Sequence, residues 1–386
     1  VNTFLPSKRS DVFAFQAMEV LQAASQLEAE GKKVLHMEIG QPGAPVPAQV
    51  RSAAQSLLDT GKMAYTPAKG LPELQQAIAK HYSEHYGVEV PLERVMVTTG
   101  SSAGFNLAFL AGFEPGDRVA LTSPGYPAYR NILKALGLEA VEIEVGPETR
   151  WALTGEMVAK VHKKTPLKGV LVASPANPTG TMMTPEALKE LSQTCEANGI
   201  WFISDEIYHG LAFGQQEETA LKFSDKAIIV NSFSKYYCMT GWRIGWMILP
   251  EELVRPVERL AQSLYISAPH LSQVAAVAAF SATQEYEQIK AGYGRNRQLL
   301  LERLPQIGFD RLLPVDGAFY VYASTTAFAK DSFEFCKGML QEAHVATTPG
   351  IDFDLQRGHE YLRFSFAGPE ADMALAMEKL EDWLNR

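Results

Sequence analysis

Gly169-Val-Leu-Val-Ala-Ser-Pro-Ala-Asn-Pro-Thr-Gly180, Ile200-Trp-Phe-Ile-Ser-Asp-Glu-Ile-Tyr208 and Ala227-Ile-Ile-Val-Asn-Ser-Phe-Ser-Lys235 share one plan: a short apolar run passes straight into a cluster of polar residues. A run without a polar side lacks the alternation of a half-wet strand, so each reads as a strand buried on both faces, as in parallel sheets covered by helices. Working outward from Gly169–Ala173, Ile200–Ser204 and Ala227–Val230, similar runs occur at Arg94–Thr98, Arg118–Thr122, Ala140–Val145 and Arg243–Leu249. Helical stretches at Leu71–Tyr86, Pro127–Leu136, Thr154–Lys163, Pro185–Ala197 and Glu251–Ala261 lie among them, several opened by Pro or Thr. Strands alternating with helices imply crossover units.

The Pro/Gly-rich stretch Gly40–Pro47 reads as a linker out of an N-terminal segment. After about Leu271 the pattern changes to a long Ala-rich helix, short strands near Ala318–Tyr322 and Tyr361–Phe366, and a closing helix from Pro369. The expected fold is α/β: a mostly parallel seven-stranded sheet sandwiched by helices, with a smaller α+β domain built from the N-terminal segment and the C-terminal part. The expected division is an N-terminal arm with part of the small domain at 1–45, a large domain at 46–275 and a small C-terminal domain at 276–386.

Composition narrows the function classes. With 35 Lys+Arg against 44 Asp+Glu, the 386 residues carry a net charge of −9, which lacks the basic footprint of a nucleic-acid binder. The start of the chain has no apolar h-region, and no run is long and apolar enough for a membrane helix. Cys195, Cys238 and Cys336 are odd in number and scattered, neither a disulfide framework nor a zinc site. Cytoplasmic residence is expected, with no metal.

Ligands of open parallel sheets bind beyond the carboxyl ends of the strands. There stand Gly100-Ser-Ser-Ala-Gly104, Ser123-Pro-Gly-Tyr126, Ser174–Gly180, Asp205-Glu-Ile-Tyr208 and Ser232-Phe-Ser-Lys235. Each alone has a plain reading as a turn, cap or packing contact. Together they suit a pyridine aldehyde phosphate. Lys235, desolvated among apolar neighbours, would form a Schiff base and later act as a general base. Asp205 would hold the ring-nitrogen proton. Ser101, Ser102, Ser232, Ser234 and the guanidinium of Arg243 would meet a phosphate at a helix start. Tyr126 would cover the ring, and Asn177 and Tyr208 would meet its 3′-oxygen.

Tyr65-Thr-Pro-Ala-Lys-Gly70, Ser174–Gly180, Asp205–Tyr208, Ser232–Lys235, Gly241-Trp-Arg243 and Arg363-Phe-Ser365 strongly resemble the class I/II, fold type I pyridoxal-phosphate aminotransferases of the aspartate-aminotransferase superfamily. The resemblance runs in order along nearly the whole chain. It implies ping-pong transfer of an amino group between an L-amino acid and a 2-oxo acid, with pyridoxal 5′-phosphate as cofactor. It further implies a homodimer in which Tyr65 reaches the partner's phosphate, Arg363 grips the substrate α-carboxylate, and the backbone of Gly40 meets the same group.

Gly100–Gly104 also fits the G-x-S-x-G elbow of a serine hydrolase with Ser102 as nucleophile, and His344 and His359 follow in permissible order. No oxyanion motif precedes it, and Asn177, Asp205 and Lys235 would go unused. Ser232-x-x-Lys235 fits a penicillin-recognising motif without its companions. A carbon–sulfur β-lyase on the same scaffold is the nearer rival, because the cofactor stabilises any Cα carbanion. For the donor, Phe15 favours an apolar or aromatic side chain, whereas Lys69 beside Tyr65 could receive a distal carboxylate. The expectation leans to a neutral or aromatic donor with 2-oxoglutarate or pyruvate as acceptor.

Overall fold

The computed structural model describes residues 4–386; Val1 to Thr3, the first residues of the expected arm, lie outside that range. Strand β1 (Leu35–His36) belongs to the smaller domain. The apolar runs form β2 (Val95–Thr98), β3 (Arg118–Ser123), β4 (Glu139–Glu144), β5 (Gly169–Ala173), β6 (Trp201–Asp205), β7 (Ile228–Ser232) and β8 (Gly245–Ile248). They make one seven-stranded sheet in the order β2-β8-β7-β6-β5-β3-β4. Only β8 runs against its neighbours, pairing antiparallel with both β2 and β7.

Side chains leave alternate faces of a strand, so each buried run feeds two cores. Met96, Leu171, Ile203, Val230 and Met247 pack under helices α4 (Ser101–Gly112), α5 (Pro127–Leu136) and α8 (Glu251–Leu264). Val97, Val170, Phe202, Ile229 and Trp246 face the layer of α2 (Ala48–Thr60), α3 (Pro72–Tyr86), α6 (Gly155–Lys164), α7 (Pro185–Ala197) and α9 (His270–Ala279). Two expectations need correction. Strand β4 is wet on most of its length, with Glu139, Glu142 and Glu144 at the sheet edge partly or fully exposed, where charge deters further pairing. Arg243 lies before β8 rather than in it, with φ 49°, and this turn frees its side chain for the cavity described below.

The expected single Ala-rich helix is two, α9 and α10 (Thr283–Gln306). The chain breaks where Phe280 sets its ring against Phe233 and Tyr237, 5.4 Å from each. Helix α10 carries Tyr286 into the large-domain core and Leu300 and Leu304 into the small one. That second core lies around β9 (Tyr320–Ser324), β11 (Thr348–Pro349) and β12 (Tyr361–Ser365), an antiparallel set in the order β11-β12-β9. The N-terminal segment joins it: β1 pairs in parallel with β10 (Val345–Ala346), and α1 (Gln16–Ala29) packs Val20, Ala23 and Leu27 beside Ala346. None of the helices among the described residues is long and apolar enough to cross a membrane.

Candidate active site

A cavity of about 350 Å³ opens where the carboxyl ends of β5, β6 and β7 meet the smaller domain. Most of the residues singled out from sequence line it. Lys235, just past β7, points its Nζ at the carbonyl of Gly40 and sits 5.8 Å from the centroid of the Tyr208 ring. Burial, reinforced by the positive charge of Arg363, lowers its amine to about 8, against the pull of Asp205. Asp205 ends β6 and is 2% exposed. Burial raises its carboxyl to about 6, while a hydrogen bond from the Tyr129 hydroxyl, the Ile207 amide at 3.1 Å and the charge of Lys235 hold it down.

At the other end stands a cradle for an anion. Helix α4 starts at Gly100 with no side-chain cap, so Ser101 and Ser102 face the cavity instead of closing the helix end. Gly100 has φ +83°, and a Cβ there would come within 2.5 Å of Arg243 Nη2; only glycine lets the guanidinium close on the helix start. Arg243 Nη1 donates to the Thr240 carbonyl at 2.9 Å and lies 3.5 Å from Ser234 Oγ. Ser232, expected at the same anion, does not line the cavity. It is 1% exposed behind Ser234, with its Oγ 2.9 Å from Ser234 Oγ and 3.2 Å from the Ile244 carbonyl, because it is still inside β7, whereas Ser234 stands in the turn beyond the strand end.

The third corner is built on Arg363 of β12, 3% exposed. Its guanidinium lies 4.4 Å from the Tyr320 ring centroid and 4.8 Å from that of Phe353. Nη1 donates to Asn177 Oδ1 at 2.8 Å and Nη2 to the Glu38 carbonyl, while Nε is buried without a partner. A cation so flattened and only partly satisfied suits a planar carboxylate. Gly40 is required here, since a Cβ would fall 2.0 Å from the Tyr320 hydroxyl. Tyr208 Oη lies 2.8 Å from that hydroxyl. Phe15 stacks on Tyr126, rings 6.0 Å apart and 30° inclined, and roofs the cavity.

The chain does not bring Tyr65 or Lys69 to its own cavity. Tyr65 is 80% exposed, and Lys69 Nζ donates to the Glu93 carbonyl at 3.4 Å. Sequence reasoning missed Tyr129, Tyr320 and Asp352, all in the cavity wall. Tyr129 had a signal: it stands three residues after Tyr126, on the same face of α5. The other two depend on the smaller domain folding over the site. Among the described residues no histidine lines the cavity, so Ser102 lacks the base that a hydrolase elbow needs.

The donor set fits pyridoxal phosphate. A depressed lysine, a buried carboxylate braced by a hydroxyl, and a serine-rich helix start that only glycine leaves open to arginine answer the amine, ring-nitrogen and phosphate needs of that group.

Comparison with known proteins agrees. The family described as aminotransferase class I and II matches residues 32–380. The valine–pyruvate aminotransferase of Mycobacterium tuberculosis is 48% identical over 380 residues, 97% of each chain. A crystal structure of an aminotransferase from Mycobacterium tuberculosis superposes with a TM-score of 0.97 at 48% identity, covering 99% of this chain and all of that one. Aspartate aminotransferase from Thermus thermophilus with maleate gives 0.93 at 29% identity, covering 98% of this chain and all of the other.

Proposed function

This chain belongs to the class I and II aminotransferases and is a pyridoxal-phosphate-dependent transaminase of amino acids and 2-oxo acids; within that activity we propose that Lys235, Asp205 and Arg363 carry the reaction, with a neutral amino acid as donor and pyruvate as acceptor. The observation that carries this reading is the cavity's set of charges. Among the described residues this chain's own cations there are Lys235, Arg243 and Arg363, which answer an amine, a phosphate and one α-carboxylate, and Lys69, which would travel with Tyr65, is turned to the Glu93 carbonyl. The relative named for valine and pyruvate agrees with such a donor.

Pyridoxal phosphate, when bound, supplies an electron sink for negative charge at the substrate Cα. The protein's own groups do the rest. Arg363, with Nε unpaired, would bind the α-carboxylate and so fix Cα relative to Lys235. Lys235, its amine lowered to about 8, moves the Cα proton; a base of that strength near the operating pH contributes roughly 10²–10⁴-fold. Asp205, ionised and braced by Tyr129, would hold the proton of the ring nitrogen, and Asn177 and Tyr208 would orient the ring oxygen. Ser101, Ser102, Ser234 and Arg243 would hold the phosphate, and Tyr126 with Phe15 would keep water out.

A homodimer is part of the proposal. Tyr65, Met63, Leu264 and Ile266 are large, apolar and between 46% and 80% exposed, a surface that suits a second copy and would carry Tyr65 to its partner's phosphate. Cytoplasmic residence fits Cys195, Cys238 and Cys336, all buried and unpaired.

The test is an absorbance spectrum from 300 to 500 nm, taken before and after adding single amino acids without an oxo acid. Valine or alanine should lower a band near about 360–430 nm as one near about 330 nm rises, and pyruvate should restore it. Equal or stronger conversion by aspartate would overturn the neutral donor. Ammonia release with a persistent band would mark a β-lyase instead.

A further inference from the structure

Two carboxylates stand in the cavity wall among the described residues, Asp205 and Asp352, and the reaction above uses only the first. Asp352 is 4% exposed. Its Oδ1 accepts from the Gln16 amide at 3.1 Å and its Oδ2 lies 3.4 Å from the Ala17 amide. These are the first N–H groups of α1, whose N-cap residue, Phe15, offers no side-chain cap of its own. A residue more than three hundred positions away therefore caps the helix that roofs the cavity with Phe15, Ala17 and Met18. Arg130, outside the wall, is turned to the protein: it donates to the Asp352 carbonyl at 2.6 Å and pairs with Glu142 at 3.5 Å, with its Nε buried and unpartnered.

A substrate held by its α-carboxylate at Arg363 thus meets apolar rings, helix backbone and one fixed negative charge. We propose that Asp352 is a specificity-determining residue: its charge excludes donors with a distal carboxylate, and its two oxygens hold the α1 roof that shapes the side-chain end of the cavity for neutral donors. This rests on the transaminase reading above and deepens it by naming the group that sets the donor class. Burying a second carboxylate beside Asp352, whose oxygens are already held by the α1 amides, would set two like charges in one water-poor cavity.

Asp352→Asn removes the charge and keeps an oxygen for the Gln16 amide; Asp352→Ala removes both. The holoenzyme of each is compared with wild type in kcat/KM for valine and aspartate, and in binding of succinate against isovalerate by titration calorimetry. Amide hydrogen exchange at Gln16 and Ala17 reports the cap. In Asp352→Asn the aspartate-to-valine ratio and succinate affinity should each rise at least about tenfold, as expected for removing a like charge from a water-poor cavity. In Asp352→Ala exchange at both amides should speed up and valine KM should rise more than kcat falls. An unchanged ratio with unchanged succinate binding in Asp352→Asn overturns the assignment. A wild type that prefers aspartate overturns the neutral-donor reading, and succinate binding still judges Asp352 by itself: tightening in Asp352→Asn upholds the repulsion, and no tightening sinks it.

Discussion

At the scale of single residues, the site works by setting two buried groups against each other. Burial raises the pKa of Asp205 and lowers that of Lys235; their mutual attraction limits both shifts, and the Tyr129 hydroxyl limits that of Asp205. Two predictions follow from this balance. Lys235→Ala should abolish turnover while the protein still binds pyridoxal phosphate, read as retained cofactor after gel filtration. Tyr129→Phe removes a hydrogen bond that lowers the Asp205 pKa, so the acid limb of kcat/KM should move to higher pH than in wild type. Activity near neutrality should fall roughly 10–100-fold, the range for losing a buried bond to a charged group. An acid limb that stays put would show that Tyr129 only packs.

At the scale of elements, the anion cradle depends on one junction, the turn from β2 into α4. Gly100→Ala would combine a φ of +83° with a Cβ 2.5 Å from Arg243, and both faults fall on the phosphate-facing end. Fluorescence titration should show cofactor affinity down at least about tenfold, with a stability loss of about 1–2 kcal/mol from the left-handed backbone. This junction was legible in the sequence only in company with the other strand-end clusters, since a glycine and two serines between a strand and a helix also suit a plain capped turn. The missing serine cap was not legible, because capping and ligand binding draw on the same residue types. The break between α9 and α10 was likewise hidden: Phe280 ends a helix for the sake of rings contributed by residues 233 and 237, far off in sequence.

At the scale of the whole molecule, a charge clamp inside the N-terminal segment ties α1 to β1, and β1 ties both to β10. His36 lies 2.8 Å from Glu38 and 3.1 Å from Glu28 of α1, and the Glu38 hydrogen bond leads in raising its pKa from 6.5 to about 9. A folded value above the unfolded one means stability fully present below about pH 6.5 and lost as pH rises through about 9. His36→Gln should therefore lower Tm at pH 6 and have little effect at pH 10; equal losses at both would deny the clamp its charge. Dimer exchange tests the shared site. Mixing Lys235→Ala with Tyr65→Ala, each inactive alone, should restore about a quarter of wild-type turnover, because heterodimers hold one intact site. No recovery after verified subunit exchange would remove Tyr65 from the partner's site.

The sequence by itself determined the sheet, the crossover helices and the polar clusters at the strand ends, because periodicity, turn chemistry and strand-end position are local properties that any chain of this pattern must express. It also determined the cofactor class, through Lys235, Asp205, Asn177 and Arg243 in one order. Tertiary structure decided what those clusters face. Asp352 caps α1 across the chain, Tyr129 braces Asp205, Arg363 slides between Tyr320 and Phe353, and Ser232 turns away behind Ser234. Each joins segments that lie apart in the chain, or, for Ser232, depends on where β7 stops and the following turn begins. Both are set by packing between distant segments, which no local pattern encodes.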